Sequence, residues 1–308
     1  MKAALYTVTY SGVFYKGDHL TLQEIFPRVA DLGYDGVEIG AKRPVASPID
    51  LNASTRKEIK ALGPRYGLEI PCVASYSDFS SGVPEHREMQ LLMLREIIQL
   101  AHDLESPIVR IFATWSGITM REGYGVYEIT RASYNQPDVT HLEKWRWARE
   151  GIAETSQWAE RYGVTLALQN HSPVTNTLEQ TLEMVEEINS PFVKACIDAP
   201  LLTDQNDEYV YQGILKTGDK QVWSHFGGYL ETADGKISEE TDKGTKIVNY
   251  PAFFRGLKDI GYQGYIAYEG CSPVLVKHDW VGLEEVDRRA KLALEYIRRQ
   301  ISAVQKEE

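Results

Sequence analysis

Val164-Thr165-Leu166-Ala167-Leu168-Gln169-Asn170-His171-Ser172-Pro173 opens apolar and turns polar at an amide, an imidazole and a hydroxyl. An apolar run of this length marks a strand buried on both faces. Three later stretches repeat the pattern: Phe192 to Asp198, Gln221 to His225, and Gly264 to Glu269. Each is strand-like and closes on a side chain able to hold a metal, so the set is Gln169, Asp198, His225 and Glu269. The steps between these residues are 29, 27 and 44, and a βαβ unit takes about 30 residues or more. Four successive parallel strands would deliver them to one edge of one sheet. In a closed (β/α)₈ barrel that edge carries the chemistry. One polar residue at a strand exit is ordinary. Metal-capable residues at four consecutive exits point to a metal site.

Composition agrees with that architecture. The chain has 308 residues, and an α/β barrel takes about 250 with modest insertions. Apolar content of 43% and charged content of 25% are ordinary for a soluble protein. A net charge of −11 argues against a nucleic-acid backbone or an anionic membrane as partner, since both demand a basic footprint. The three cysteines, Cys72, Cys196 and Cys271, have no paired spacing, so free thiols in a reducing compartment are expected. The start of the chain is too polar for a signal peptide and no stretch suits a bilayer span. A cytoplasmic protein is expected.

Working outward, Ala3 to Thr9 reads as strand one. Thr21 and Glu24 form a capping box opening a helix that Gly33 closes. Gly36 to Ile39, Ile70 to Ala74 and Ile108 to Phe112 read as strands two to four. A helix from about Ala53 to Tyr66 ends at Gly67. After Pro84 the spacing of Met89, Leu92, Met93, Ile97, Leu100, Ala101 and Leu104 predicts one buried helical stripe. Thr140 with Glu143, and Asn176 with Glu179, read as further capping boxes. Leu142, Trp145, Ile152 and Ala159 mark the buried face behind Thr140. Asp234-Gly235 signals a hairpin turn inside an insertion between His225 and Asn249. No linker or composition shift divides the chain, so residues 1–308 read as a single (β/α)₈ TIM-barrel domain. Barrel topology sets that insertion and the long Thr114 to Val139 loop at the catalytic edge.

With these residues placed, the chain resembles the sugar phosphate isomerase/epimerase superfamily of xylose-isomerase-like barrels. The resemblance rests on the Asp31-Leu32-Gly33-Tyr34-Asp35-Gly36-Val37-Glu38 turn, the Leu166 to His171 stretch, Ile197-Asp198, Ser224-His225 and Tyr268-Glu269. It implies that a Glu, an Asp, a His and a second Glu hold one divalent metal. Asp198, His225 and Glu269 match that set, while Gln169 stands where glutamate is usual. Oxygen ligands with one imidazole suit Mn²⁺ foremost, with Mg²⁺ or Co²⁺ as alternatives. An amide at 169 brings no charge, which weakens metal binding and leaves the ion a stronger Lewis acid. A polarised sugar carbonyl would make the neighbouring C–H acidic.

The resemblance implies epimerases with a glutamate base on each sugar face, and an amide cannot accept a proton at working pH. Glu269 remains a candidate base, and His171 a candidate acid or base. Tyr10, Tyr76 and Trp115 follow strands and suit the apolar faces of sugars, and Lys42 could meet an anionic group. Arg110, inside strand four, needs a partner if buried, for which Glu38 is the candidate. Three functions are therefore open. The first is a metal-dependent isomerase or epimerase removing a proton next to a sugar carbonyl. The second is a lyase that starts alike and then expels a group. Here the Tyr10-Ser11-Gly12 loop, Ala41-Lys42-Arg43-Pro44 and Gln169-Asn170-His171 resemble large subunits of C-glycoside deglycosidases. Those act on 3-oxo-glycosides and pair with a small second subunit. The third is a sugar-binding barrel without catalysis. The expected partner is a small sugar or glycoside, with a homo-oligomer or a small second subunit as assembly.

Overall fold

The computed structural model describes the chain apart from residues 122–123, 127–135, 137, 242–243 and 307–308. Eight strands form the barrel: β1 (Lys2–Tyr6), β2 (Gly36–Gly40), β3 (Glu69–Ala74), β4 (Ile108–Ile111), β5 (Thr165–Gln169), β6 (Val193–Cys196), β7 (Gln221–Phe226) and β8 (Tyr265–Tyr268). Each lies beside its neighbours in the chain, and β1 closes on β8. Among the described residues, eight helices alternate with them: α1 (Leu22–Leu32), α2 (Ala53–Tyr66), α3 (Pro84–Asp103), α4 (His141–Tyr162), α5 (Leu178–Ile188), α6 (Asp207–Thr217), α7 (Tyr250–Asp259) and α8 (Leu283–Gln305). The fold is the (β/α)₈ TIM barrel that the strand pattern predicts. Among the described residues, no helix is long and apolar enough to cross a membrane.

The chain clusters into two compact units. One comprises Met1–Glu38, Gly63–Glu69 and Ile197–Glu308. Its β1 pairs in parallel with β2 and with β8, and β8 pairs with β7. Leu5, Val37, Trp223 and Ile266 are fully buried along these strands. The insertion after β7 contains a small antiparallel sheet of Leu230–Glu231, Ile237–Thr241 and Gly244–Val248. Its first turn falls at Asp234-Gly235 as expected, with the Thr232 amide donating to the Lys236 carbonyl. The other unit comprises Ile39–Leu62 and Ile70–Cys196. There β3 pairs with β4, β4 with β5, and β5 with β6, all in parallel. Residues 122–123, 127–135 and 137 of the Thr114 to Val139 loop lie outside the described residues.

Local chemistry explains most helix boundaries. Thr21 with Glu24 and Thr140 with Glu143 form reciprocal capping boxes. Gly33 and Gly163 take left-handed conformations at the ends of α1 and α4, which glycine adopts without steric penalty. The α5 cap falls one residue later than the sequence suggests. Thr177 accepts from the Gln180 amide at 3.1 Å, and Gln180 Oε1 accepts from the Asn176 amide at 2.9 Å. Thr177 and Gln180 have the same spacing as Asn176 and Glu179, so pattern alone could not separate the two registers. The apolar stripes need correction as well. Met89 and Leu92 on α3 are 55% and 52% exposed, and Leu142 on α4 is 74% exposed. The buried side of α3 is carried by Leu94, Ile97, Ile98, Leu100 and Ala101, so only its second half packs inward.

Helices α6 and α7 approach closely at Gly256. A β-carbon there would lie 2.8 Å from the β-carbon of Ile214. Gly256→Ala should therefore destabilise the protein by about 1–3 kcal/mol, the usual penalty of overpacking. Chemical denaturation checks this, and an unchanged midpoint would mean that the two helices have room to spare.

Candidate active site

Four of the residues that carry charge or imidazole come together in the first unit. Asp198 follows β6, His225 lies near the end of β7, and Glu269 directly follows β8. The fourth is Glu38, in the middle of the buried strand Gly36–Gly40. Asp198 Oδ2 lies 2.9 Å from His225 Nδ1, and Glu38 Oε2 lies 2.7 Å from His225 Nε2. The imidazole thus sits between two carboxylates, with all three side chains almost completely buried. Burial alone would lower the affinity of His225 for its proton. The negative charges of Glu38, Asp198 and Glu269 outweigh burial and hold the ring well above the ordinary histidine range.

Backbone geometry fixes this arrangement. Asp198 Oδ1 accepts from the His225 amide at 2.7 Å, so both carboxylate oxygens face His225. The buried Gln221 side chain braces the preceding residue: its Oε1 accepts from the Ile197 amide, and its Nε2 donates to the Ile197 and Trp223 carbonyls. Ser224 Oγ also donates to the Ile197 carbonyl. The Glu269 amide donates to the Phe226 carbonyl at 2.9 Å, which seats Glu269 beside the end of β7. The sequence singled out Glu38 as the candidate partner of Arg110 and not as a neighbour of the histidine, and it did not single out Gln221. A charged residue inside an otherwise apolar strand was the available signal for Glu38, because a carboxylate buried there must be engaged.

These donors fit a divalent cation. Three carboxylates bear on one imidazole, so even with the ring protonated the group carries an excess of negative charge that such an ion would balance. Ligand distances near about 2.1 Å at right angles put neighbouring donors about 3 Å apart, and the Asp198–His225 pair is separated by 2.9 Å. Asp198, His225 and Glu269 would hold the ion. Glu38 would take the outer proton of the histidine, an arrangement common at metal-bound imidazoles.

The second unit holds the remaining candidates. Gln169 ends β5, and its Oε1 accepts from the Arg110 guanidinium at 2.8 Å, both side chains being buried. Arg110 also lies over the Phe112 ring, 4.7 Å from its centre. Lys42 Nζ donates to the Ser116 and Ile118 carbonyls and lies over the Tyr76 ring. Desolvation lowers its pKa from the ordinary lysine value. His171 packs against Trp115 with ring centres 4.5 Å apart, and Phe112 meets it edge-on. Its Nδ1 lies 2.7 Å from the Ser172 carbonyl oxygen, which it meets as a donor. Lys42 with Tyr76, and Trp115 with His171, are therefore two adjoining pairs along these loops. Tyr10 is placed otherwise than as a sugar-binding ring. It is fully buried in the first unit, and its hydroxyl donates to Asp287, which also pairs with Arg28. That network fastens the turn after β1 to α8.

Removing the Arg110 donor takes a charge-assisted hydrogen bond from the buried Gln169 oxygen. Arg110→Met is expected to destabilise the protein by about 1.5–3 kcal/mol, the usual worth of a hydrogen bond to a charged group. Urea unfolding measures this, and a variant as stable as the parent would mean that the bond adds nothing.

Comparison with known proteins identifies the family of the chain. The chain is 27% identical over 274 residues to fructoselysine 3-epimerase of Escherichia coli O157:H7, covering 84% of this chain and 89% of the relative. It is 24% identical to ketose 3-epimerase of Arthrobacter globiformis, covering 99% and 98%. D-psicose 3-epimerase from Clostridium cellulolyticum H10 has a similar structure, with a TM-score of 0.73 at 17% identity over 98% of this chain and 99% of that one. The 3-keto-D-glucoside 4-epimerase of E. coli gives 0.67 at 16% identity, over 98% and 99%. A family model described as a xylose isomerase-like TIM barrel matches residues 26–300, and the chain belongs to that family.

Proposed function

We propose that the protein is a divalent-metal-dependent enzyme of the isomerase/epimerase type, removing a proton next to the carbonyl of a sugar or keto-sugar. The observation that carries this reading is the buried histidine held between Asp198 and Glu38, with the charge of Glu269 bearing on it. The sugar epimerases among the relatives support it. Mn²⁺ is the ion best suited to these donors, with Mg²⁺ or Co²⁺ as alternatives. When bound, it would polarise the carbonyl and lower the barrier to losing the adjacent proton. Asp198 and His225 bind and orient. Glu269, less buried than those two, is the base that takes the proton. Gln169 is the proposed fourth ligand, through its amide oxygen, and Lys42, Tyr76 and Trp115 are the proposed sugar-binding residues.

One observation favours a second reading. The position that would carry a second carboxylate base is Gln169, whose oxygen accepts from Arg110. An epimerase must return a proton to the opposite face, and an amide cannot do so. A lyase acting on a 3-oxo-glycoside needs only a leaving group and a proton donor for it, for which His171 is the proposed residue.

Two experiments bear on these readings. Purified protein should take up about one divalent ion per chain, and Asp198→Asn should abolish uptake. Gln169→Glu should bind Mn²⁺ more tightly through a third carboxylate. Elemental analysis finding no metal after incubation with Mn²⁺ would remove the site, and weaker binding by Gln169→Glu would place residue 169 outside the ligand set. For the reaction, ketoses and 3-oxo-glycosides are offered in deuterated water with Mn²⁺ and followed by NMR. Inverted, labelled ketose supports the epimerase, and aglycone release with ketoses untouched supports the lyase. With no exchange and no release, a sugar-binding barrel is the better description.

A further inference from the structure

Glu38 is a carboxylate with no exposure to solvent, inside a strand whose five residues are all buried. A carboxylate in such a place persists only if its charge is engaged. Its Oε2 lies 2.7 Å from His225 Nε2, a separation that requires a shared proton, since two lone pairs that close would repel. The indole nitrogen of Trp223 also approaches Nε2, at 3.4 Å. That contact is at the outer limit of a hydrogen bond, whereas the Glu38 contact is short and charge-assisted, so the proton belongs between Nε2 and Glu38. On the other side of the ring, Nδ1 faces Asp198. Asp198 cannot swing away, because its second oxygen accepts from the His225 amide and Ile197 is clamped by Gln221.

A metal ion can bind an imidazole nitrogen only in place of a proton. At Nε2 it would displace the proton of the short Glu38 bond and lie on the far side of the ring from Asp198. At Nδ1 it leaves that bond intact and meets Asp198 at once. We propose that Glu38 is a positioning residue for the metal centre: it holds the Nε2 proton of His225 and thereby makes Nδ1 the ligand atom. This rests on the metal-dependent reading above and assigns a role to a residue that touches neither ion nor substrate.

The test compares the parent protein with Glu38→Gln and Glu38→Ala. Mn²⁺ affinity is measured by titration, and circular dichroism verifies folding. Glu38→Ala should bind Mn²⁺ about 10–100-fold more weakly, the usual effect of losing such an outer partner. Glu38→Gln, whose amide oxygen still accepts the Nε2 proton, should lose less. In the Zn²⁺-loaded parent, nitrogen NMR of labelled histidine should show His225 protonated at Nε2, a signature that a packing role for Glu38 would not produce. If Glu38→Ala fails to fold, the Gln variant and the parent spectrum still decide. A proton found at Nδ1, or affinities of both variants within twofold of the parent, overturns this proposal alone. A parent protein that takes up no metal overturns the metal reading and this proposal with it.

Discussion

Everything at the candidate site depends on one electrostatic constraint, the packing of carboxylates around a single buried imidazole. Ions removed from water persist only when their charges meet in good geometry. His225 meets one carboxylate at each ring nitrogen, and Glu269 adds its charge. The barrel supplies the means. Glu38 comes from β2, Asp198 follows β6, His225 is on β7 and Glu269 follows β8. No local segment of chain could assemble that group, because its members are far apart in sequence.

The group is also asymmetric. One carboxylate, Asp198, is bound to the backbone of the histidine it faces and is braced through Ile197. The other, Glu38, reaches the ring from a fully buried strand. A histidine held at both nitrogens has no freedom to turn. The second unit contributes a contrast. Gln169, at the equivalent exit of β5, is neutral and is met by the Arg110 guanidinium. Where the other strand exits carry a carboxylate or an imidazole, this one has an amide that can accept a hydrogen bond but not a proton.

Local features were read from the chain with different success. Capping boxes at Thr21 and Thr140, and left-handed glycines at 33 and 67, appear where their spacing indicates, because caps are contacts between residues three or four apart. The α5 cap moved to Thr177 since two overlapping pairs satisfied the same rule. Met89, Leu92 and Leu142 are apolar at helical spacing yet exposed. Periodicity states which residues share a face of a helix and is silent on how far along the helix that face is covered.

The sequence by itself determined the eight-fold alternation, the class of barrel and the strand ends at which Gln169, Asp198, His225 and Glu269 stand. Those follow from short-range rules: apolar runs, turn formers and the length of a βαβ unit. Only the tertiary structure decided what each residue touches. It joined Glu38 to His225 across 187 positions, gave Gln169 its Arg110 partner, and turned Tyr10 from a candidate sugar-binding ring into a packing residue bonded to Asp287. The physical reason is range. A hydrogen bond or an ion pair between distant segments depends on strand register and side-chain direction to within about an ångström, and neither is written in the local spacing of residues.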